Sequence, residues 1–188
     1  MAVYKSDFEI PTIDVNLVTI KVGDDEFGFD TSNSVAVEVQ TEDTDAVKLV
    51  VKGKLRAQKP AVKTVTGNKI TLKDNVFNPE LVLVLQGGEL FTQVSNGKVN
   101  YKPPAAGSED KGSVFTLNLY SAQYNAAGQI VNYEKISYPN CHGDPVAFGA
   151  EDGTFRAPEY TINSAPKTGE SPYEITYVDS LPELTARS

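Results

Sequence analysis

The sequence predicts a mainly β fold, either a β-sandwich or a partly closed barrel, with one short flanking α-helix at about 79–86. Three observations lead to this prediction: a segment in which apolar and basic residues alternate, a second alternating pair around a turn, and many short strand patterns separated by frequent turns. The chain has 188 residues and no detectable internal repeat. We therefore expect a single domain over residues 1–188, since this length suits one hydrophobic core.

Alternation defines the two clearest strand regions. Residues 47–57 predict one strand with a buried side of Val47, Leu49, Val51 and Leu55 and a basic side of Lys48, Lys52, Lys54 and Arg56. A long hairpin is predicted where Phe115, Leu117 and Leu119 precede the turn 125–128 and Val131 and Tyr133 follow it. Further short strands are expected at 35–41, 69–73, 146–150, 154–162 and 172–178, with a turn at Asp152-Gly153.

One segment carries helix signals instead. Asn78 suits an N-cap, Pro79 the first helical position and Glu80 the first turn, and Gly87-Gly88 suit a helix end. The predicted helix therefore spans 79–86, although the apolar run LVLVLQ would also fit a buried strand. Residues 96–112, rich in Pro, Gly and Ser, predict a long loop.

Several classes of protein are disfavoured by composition. No run approaches the roughly 18 apolar residues that cross a bilayer, and the first ten residues lack the apolar core of a signal peptide. We therefore expect a protein made and folded in the cytoplasm, with no membrane partner. Because Cys141 is the single cysteine, an intramolecular disulfide is impossible.

The sequence offers little material for catalysis or metal binding. Cys141 and His142 are adjacent, so in an extended chain they point to opposite sides, and we expect a buried thiol beside an exposed imidazole. A zinc site needs about four ligands, and the acidic segment 23–30 lacks the spacing of a calcium loop. Paired carboxylates for glycoside hydrolysis stay open because their separation depends on the fold. We predict a non-enzymatic protein with no catalytic, metal or cofactor-binding site and no cofactor.

Charge is strongly segregated along the chain, whose net charge is -8. Residues 1–45 hold eleven acids and two bases, whereas residues 46–75 hold eight bases and one acid. Acidic and basic strands could pair within one sheet, or the two segments could meet between subunits. The candidate inter-subunit interface consists of Lys48, Lys52, Lys54, Arg56, Lys59 and Lys63. Nucleic-acid binding by these cations is disfavoured by the acidic net charge.

Three stretches cover most of the chain: DTSNSVAVEVQTEDTDAVKLVVKGKLRAQKP (30–60), ITLKDNVFNPELVLVLQGG (70–88) and NYEKISYPNCHGDPVAFGAEDGTFRAPEYTINSAPKTGESPYEITYVDSLP (132–182). They resemble the major tail proteins, or tail tube proteins, of siphophages and prophages of Gram-positive bacteria. The resemblance implies a structural subunit that forms stacked, usually hexameric rings. These rings would enclose a hollow conduit with an electronegative lumen for DNA passage.

The resemblance also implies partners and a location. The chain would bind copies of itself and the tape measure, tail terminator and distal tail proteins, and DNA would pass without sequence-specific binding. It would be made in the bacterial host cytoplasm and reside in the virion tail. Extended segments at 1–34, 53–68 and 96–112 are candidates for assembly, and 53–68 is preferred for the ring-to-ring contact because it carries basic charge.

An alternative class is a β-sandwich binding or adhesion module, either carbohydrate-binding or pilus-like. The lack of a secretion signal and of any Trp disfavours it, because sugar-binding clefts commonly use large aromatic side chains. An enzyme of unknown type is a third reading, in which His142 would have to serve as the base of any Ser-His-Asp triad.

Overall fold

The computed structural model describes residues 11–92, 98–109, 111–149, 152–153 and 156–184. Their elements are strands β1 Thr12–Val22, β2 Asp25–Phe29, β3 Ser32–Asp43, β4 Val47–Val51, β5 Lys54–Lys59 and β6 Lys63–Asp74, then helix α1 Pro79–Gln86, then β7 Glu89–Thr92, β8 Val99–Lys102, β9 Phe115–Tyr124, β10 Ile130–Gly143, β11 Glu159–Ser164 and β12 Glu174–Val178. The predicted mainly β class with one short helix is confirmed.

Eight strands form the main sheet, in the order β2-β1-β9-β10-β11-β6-β3 with β12 also paired to β10. Strand β10 joins two parts of this sheet. Its residues up to Ser137 pair with β12, whereas Cys141–Gly143 pair with β11. We call β2-β1-β9-β10-β12 the first half-sheet and β11-β6-β3 the second half-sheet. The described sheets do not close into a barrel.

One hydrophobic core takes side chains from both half-sheets and from α1. Its fully or almost fully buried members include Val18, Ile20, Leu117, Ile70, Leu72, Ile162, Leu81 and Leu85. Burial of such a side chain contributes about 1.5–3 kcal/mol each, so this cluster supplies most of the driving force for folding.

Helix α1 has the predicted boundaries, 79–86. The Asn78 side-chain oxygen accepts hydrogen bonds from the backbone N–H groups of Glu80 (2.9 Å) and Leu81 (3.4 Å). The helix ends at Gly87, whose φ of 77° is readily reached only without a Cβ. Local capping chemistry therefore sets both ends of the helix.

Substitution of the cap gives the first expected result. Asn78→Ala leaves two N–H groups at the helix start without their partner and should lower stability by about 1 kcal/mol. For a domain of this size that corresponds to about 2–4 °C in Tm by thermal denaturation. Asn78→Asp keeps an acceptor oxygen and is the matched control. Equal losses in both variants would contradict the capping role.

Several predicted strands are confirmed. The segments 35–41 and 69–73 lie within β3 and β6, and residues 174–178 of the segment 172–178 form β12. The long hairpin is β9–β10, and the Asn125 side-chain oxygen accepts hydrogen bonds from the N–H groups of Ala127 and Gln129. The turn residues in the sequence were therefore sufficient to locate this hairpin.

Other strand predictions need correction. Residues 146–149 have no regular structure, and residue 150 lies outside the described residues. The predicted strand 154–162 begins only at Glu159, and residues 154–155 also lie outside. The predicted loop 96–112 contains β8, which pairs with β7, while residues 96–97 and 110 are outside the description. A four-residue strand with little alternation of apolar and polar residues gives a weak sequence pattern, so the residues of β8 were predicted as part of a loop.

Strands β1 and β2 were not predicted as strands. In β1, Leu17 and Val18 are adjacent and both buried, so the strand is covered on both faces and its sequence does not alternate. A register shift between Ile13 and Leu17 interrupts the pattern further. Residues 12–29 of the predicted extended segment 1–34 thus belong to the first half-sheet, and residues 1–10 lie outside the described residues.

Candidate assembly surface

A long hairpin projects from the second half-sheet. It comprises residues 36–66, all of them exposed, and we call it the arm. Its base is the ladder between β3 and β6, which extends as far as the pair Asp43 and Lys63. Thr44 N–H then donates to the Val62 carbonyl at 3.0 Å, and Val62 N–H donates to the Thr44 hydroxyl oxygen at 3.0 Å. The arm continues beyond this point as β4 and β5.

The end of the arm is a tight hairpin, which we call the tip (residues 47–59). Lys52 and Gly53 join β4 to β5 with φ values of 49° and 75°. Two successive residues with positive φ are typical of the two-residue turn that suits the twist of paired strands. The prediction of a single strand over 47–57 is therefore wrong. Alternation continued across the turn and concealed it, although Lys52-Gly53 was the available signal.

The apolar side predicted to be buried is exposed. Val47 is 64% exposed, Leu49 56%, Val51 42% and Leu55 56%. The tip extends past the core, and no described part of this chain covers it. Alternation in the sequence correctly indicated an apolar face, but none of the described residues buries it.

Register shows that apolar side chains occupy both faces of the tip. Directly opposed residues of an antiparallel pair lie on the same face, and neighbours along a strand alternate. Leu49 opposes Ala57, whereas Val50 opposes Leu55, because a register shift at this point leaves Arg56 as an extra residue in β5. Leu55 and Ala57 therefore lie on different faces although they are two residues apart. Face one therefore carries Val47, Leu49, Val51 and Ala57, and face two carries Val50 and Leu55.

The six basic residues predicted as an interface all lie on the arm, but they do not line one face. Lys52 is in the turn, Lys54 opposes Val51 on face one, and Lys48 opposes Gln58 on face two. The tip also carries Arg56 and Lys59 and contains no carboxylate. The predicted basic side of a single strand is therefore wrong in geometry, because the turn distributes these cations around the hairpin. Their role in an interface stays a prediction.

At the base of the arm, opposite charges meet within the sheet. Glu38 opposes Lys69, and the Lys63 ammonium lies 3.9 Å from the Asp43 carboxylate with both side chains largely exposed. Such a pair contributes about 0–1 kcal/mol. Pairing of the acidic strand β3 with the basic strand β6 thus explains the charge segregation in the lower part of the arm. In the tip, by contrast, β4 and β5 are both basic and pair with each other.

No protein-family model matches the sequence, and no curated protein matches it. Comparison with solved structures finds chains that are similar to this one over most of their length, at low structural similarity. One is from the sheath–tube complex of an extracellular contractile injection system, PVC, in its extended state, with a TM-score of 0.41 and 15% identity over 92% of this chain and 94% of that chain. Two are from the anti-feeding prophage. Its tube terminating cap matches with a TM-score of 0.40 and 13% identity, over 93% of this chain and 95% of that chain. Its six-fold symmetrised baseplate matches with a TM-score of 0.35 and 11% identity, over 92% of this chain and 95% of that chain.

The cysteine and the histidine are arranged as predicted. Cys141 is fully buried and its thiol donates to the Tyr138 carbonyl at 3.2 Å, while His142 is exposed. Burial raises the pKa of the Cys141 thiol to about 11. A thiol that stays protonated is a poor nucleophile. Within the described ranges no three His, Cys, Asp or Glu residues cluster as a metal site, and no helix there could span a membrane.

The buried thiol should make stability depend on alkaline pH. The unfolded chain loses the thiol proton near pH 8.5, whereas the folded protein holds it to about 11, so stability is complete below pH 8.5 and falls as pH rises. The loss should approach about 2–3 kcal/mol by pH 11. Urea unfolding at several pH values measures it. Cys141→Ser does not titrate here and should give a shallower slope, and equal slopes would contradict the assignment.

Proposed function

We propose that this chain is a structural subunit of a phage-type tail tube. It assembles with copies of itself into stacked hexameric rings around a hollow conduit, and its arm makes the ring-to-ring contact. The observation that carries this proposal is the arm itself, exposed along residues 36–66 with apolar side chains on both faces of its tip. The sequence resemblance to tail tube proteins supports the same conclusion.

An arm of this kind needs a partner. A two-stranded hairpin is marginally stable in water by itself, and exposed apolar surface in a monomer commonly marks an interaction site. The tip places Val47, Leu49, Val50 and Leu55 in solvent together. Burial of these side chains against another molecule would remove that apolar area from water, which favours association.

Charge supports another copy of the same chain as the partner. The tip carries five cations and no carboxylate, so the rest of the chain, within a total of -8, carries -13. A positive tip is therefore attracted to the negative body of a neighbouring subunit. A negative conduit wall would also repel DNA phosphates and let the polymer slide without binding.

The proposed assembly uses the predicted segments unequally. Within the predicted segment 53–68, the exposed residues 53–66 make the ring-to-ring contact together with β4, which pairs with Lys54–Lys59. Gly67 and Asn68 are buried in the second half-sheet and take no part in it. Residues 12–29 contribute through the first half-sheet to the body of the ring. The segment 96–112 contains β8, which pairs with β7 outside that segment. Tape measure, tail terminator and distal tail proteins complete the proposed partners, and the proposed location is the virion tail.

Charge reversal in the tip tests this function. Lys52→Glu with Lys54→Glu places two carboxylates where the proposed contact needs cations, so rings should fail to stack while the monomer keeps its circular dichroism spectrum and Tm. Negative-stain microscopy and light scattering of concentrated protein measure stacking. In the unaltered protein, stacking should weaken between about 0.1 and 1 M salt, as the screening length falls from about 10 to 3 Å.

Two exposed lysines of the body provide the matched control. Lys111→Glu with Lys167→Glu changes the net charge equally, and both residues lie outside the arm. This variant should assemble as the unaltered protein does. Strict monomers of the unaltered protein at all concentrations would overturn the proposed function. Normal stacking of the Lys52→Glu/Lys54→Glu variant would overturn the assignment of the tip.

A further inference from the structure

The tip exposes apolar side chains on both of its faces, which a hairpin docked on a single surface would not need. Leu49 on face one and both Val50 and Leu55 on face two are each more than half exposed, at 56%, 57% and 56%. A hairpin that docks on one surface buries one face and leaves the other in water, so the free face is normally polar. Neither face of this tip is polar at its centre.

Each face has the composition of an interface. On face one, Leu49 and Ala57 form an apolar centre beside Lys54 and Lys59, and on face two Val50 and Leu55 lie beside Lys48 and Gln58. Buried apolar centres with a polar or charged rim are usual in protein interfaces. The cations on both faces favour a negatively charged partner on each side, and the body of another copy carries that charge.

Geometry determines how many partners are needed. Packed sheets lie about 10 Å apart, so covering both faces of a hairpin requires two layers about 20 Å from each other. In the described part of the chain, the two half-sheets share one filled core that includes Val18, Leu72 and Ile162, and so leave no such gap between them. One copy therefore cannot supply both layers from its own sheet.

We propose that the tip of each subunit is held between two other copies of the chain, one covering each face. This inference rests on the proposed function and adds to it the stoichiometry of the contact. Face one contacts one copy through Leu49, and face two contacts a second copy through Leu55. Each arm thereby connects three subunits.

Site-specific photocrosslinking tests the inference. The photoreactive residue p-benzoylphenylalanine replaces Leu49, Leu55 or both, and the labelled protein is diluted in a large excess of unlabelled protein before assembly and irradiation. Each singly labelled protein should give crosslinked dimers, joined to different peptides as mapped by mass spectrometry. The doubly labelled protein should give crosslinked trimers on a denaturing gel.

The possible outcomes are distinct. If assemblies form but only one position crosslinks, or if the doubly labelled protein gives dimers without trimers, the two-copy contact is wrong while the tube function stands. If the unlabelled protein never assembles, the proposed function and this inference both fail. Labels placed in the Lys52→Glu/Lys54→Glu background should give no crosslinks, because that variant is expected to stay unassembled.

Discussion

Replacing residues 45–61 with a two-residue Asn-Gly turn is expected to abolish assembly and to leave the body folded. Thr44 and Val62 already bond to each other across the arm, so a short turn can close the hairpin at that point. The removed residues are all exposed and contribute nothing to the core. Tm should therefore change by no more than about 2 °C, as for surface changes of about 0.5 kcal/mol. Differential scanning calorimetry and negative-stain microscopy measure the two effects.

The armless protein also provides a sharper test in mixtures. Under the proposed function its body keeps the surfaces that would receive an arm, so adding it to the full-length protein should stop the growth of tubes and shorten them in proportion to the amount added. A protein mixture with unchanged tube length would show that the armless body is not recognised. Tubes formed by the armless protein alone would rule out the arm as the ring-to-ring contact.

Gly143→Ala is expected to cause a large loss of stability within the body. A Cβ at this position of β10 would lie 2.5 Å from the Leu85 Cβ and 2.6 Å from the Leu85 Cα, so helix α1 would have to move. Overpacking of this kind costs about 1–3 kcal/mol, which corresponds to about 2–12 °C in Tm for a domain of this size. Urea or thermal unfolding followed by circular dichroism measures the change.

Gly149→Ala is the matched control for that substitution. A Cβ at Gly149 would meet nothing within 4 Å, and its φ is not among the positive values. Because Ala restricts the unfolded chain more than Gly, stability should stay constant or rise by up to about 1 kcal/mol. Equal losses at both positions would show that the close approach of β10 to α1 is not the cause.

Local chemistry explains which elements could be predicted from the sequence. Asn78, Pro79 and Gly87 fix the ends of α1 through contacts within a few residues, and Asn125 closes the β9–β10 turn through its own side chain. Such contacts are determined by the neighbouring residues and do not depend on distant parts of the fold. The positions of these elements could therefore be derived before the structure was known.

The remaining elements depend on contacts between distant segments. Strand β1 has adjacent buried residues, Leu17 and Val18, on its two faces, and this removes the alternation that would have indicated a strand. The tip alternates well, but alternation reports only that an apolar face exists. It does not report whether the same chain covers that face. The hairpin that carries these cations and its two apolar faces therefore came from the structure, and the role of the cations in an interface stays a prediction.

Strand β10 has a mechanical consequence for the subunit. The two half-sheets are joined through its 14 residues, with β9 and β12 paired to one portion and β11 to its end. Besides the shared core, a pulling force that passes from one half-sheet to the other is carried by the covalent backbone of β10. Ladder hydrogen bonds lie perpendicular to the strands, so this force would load them together in shear and would not peel them one after another. Extension along β10 would therefore act on its ladders with β9, β11 and β12 together.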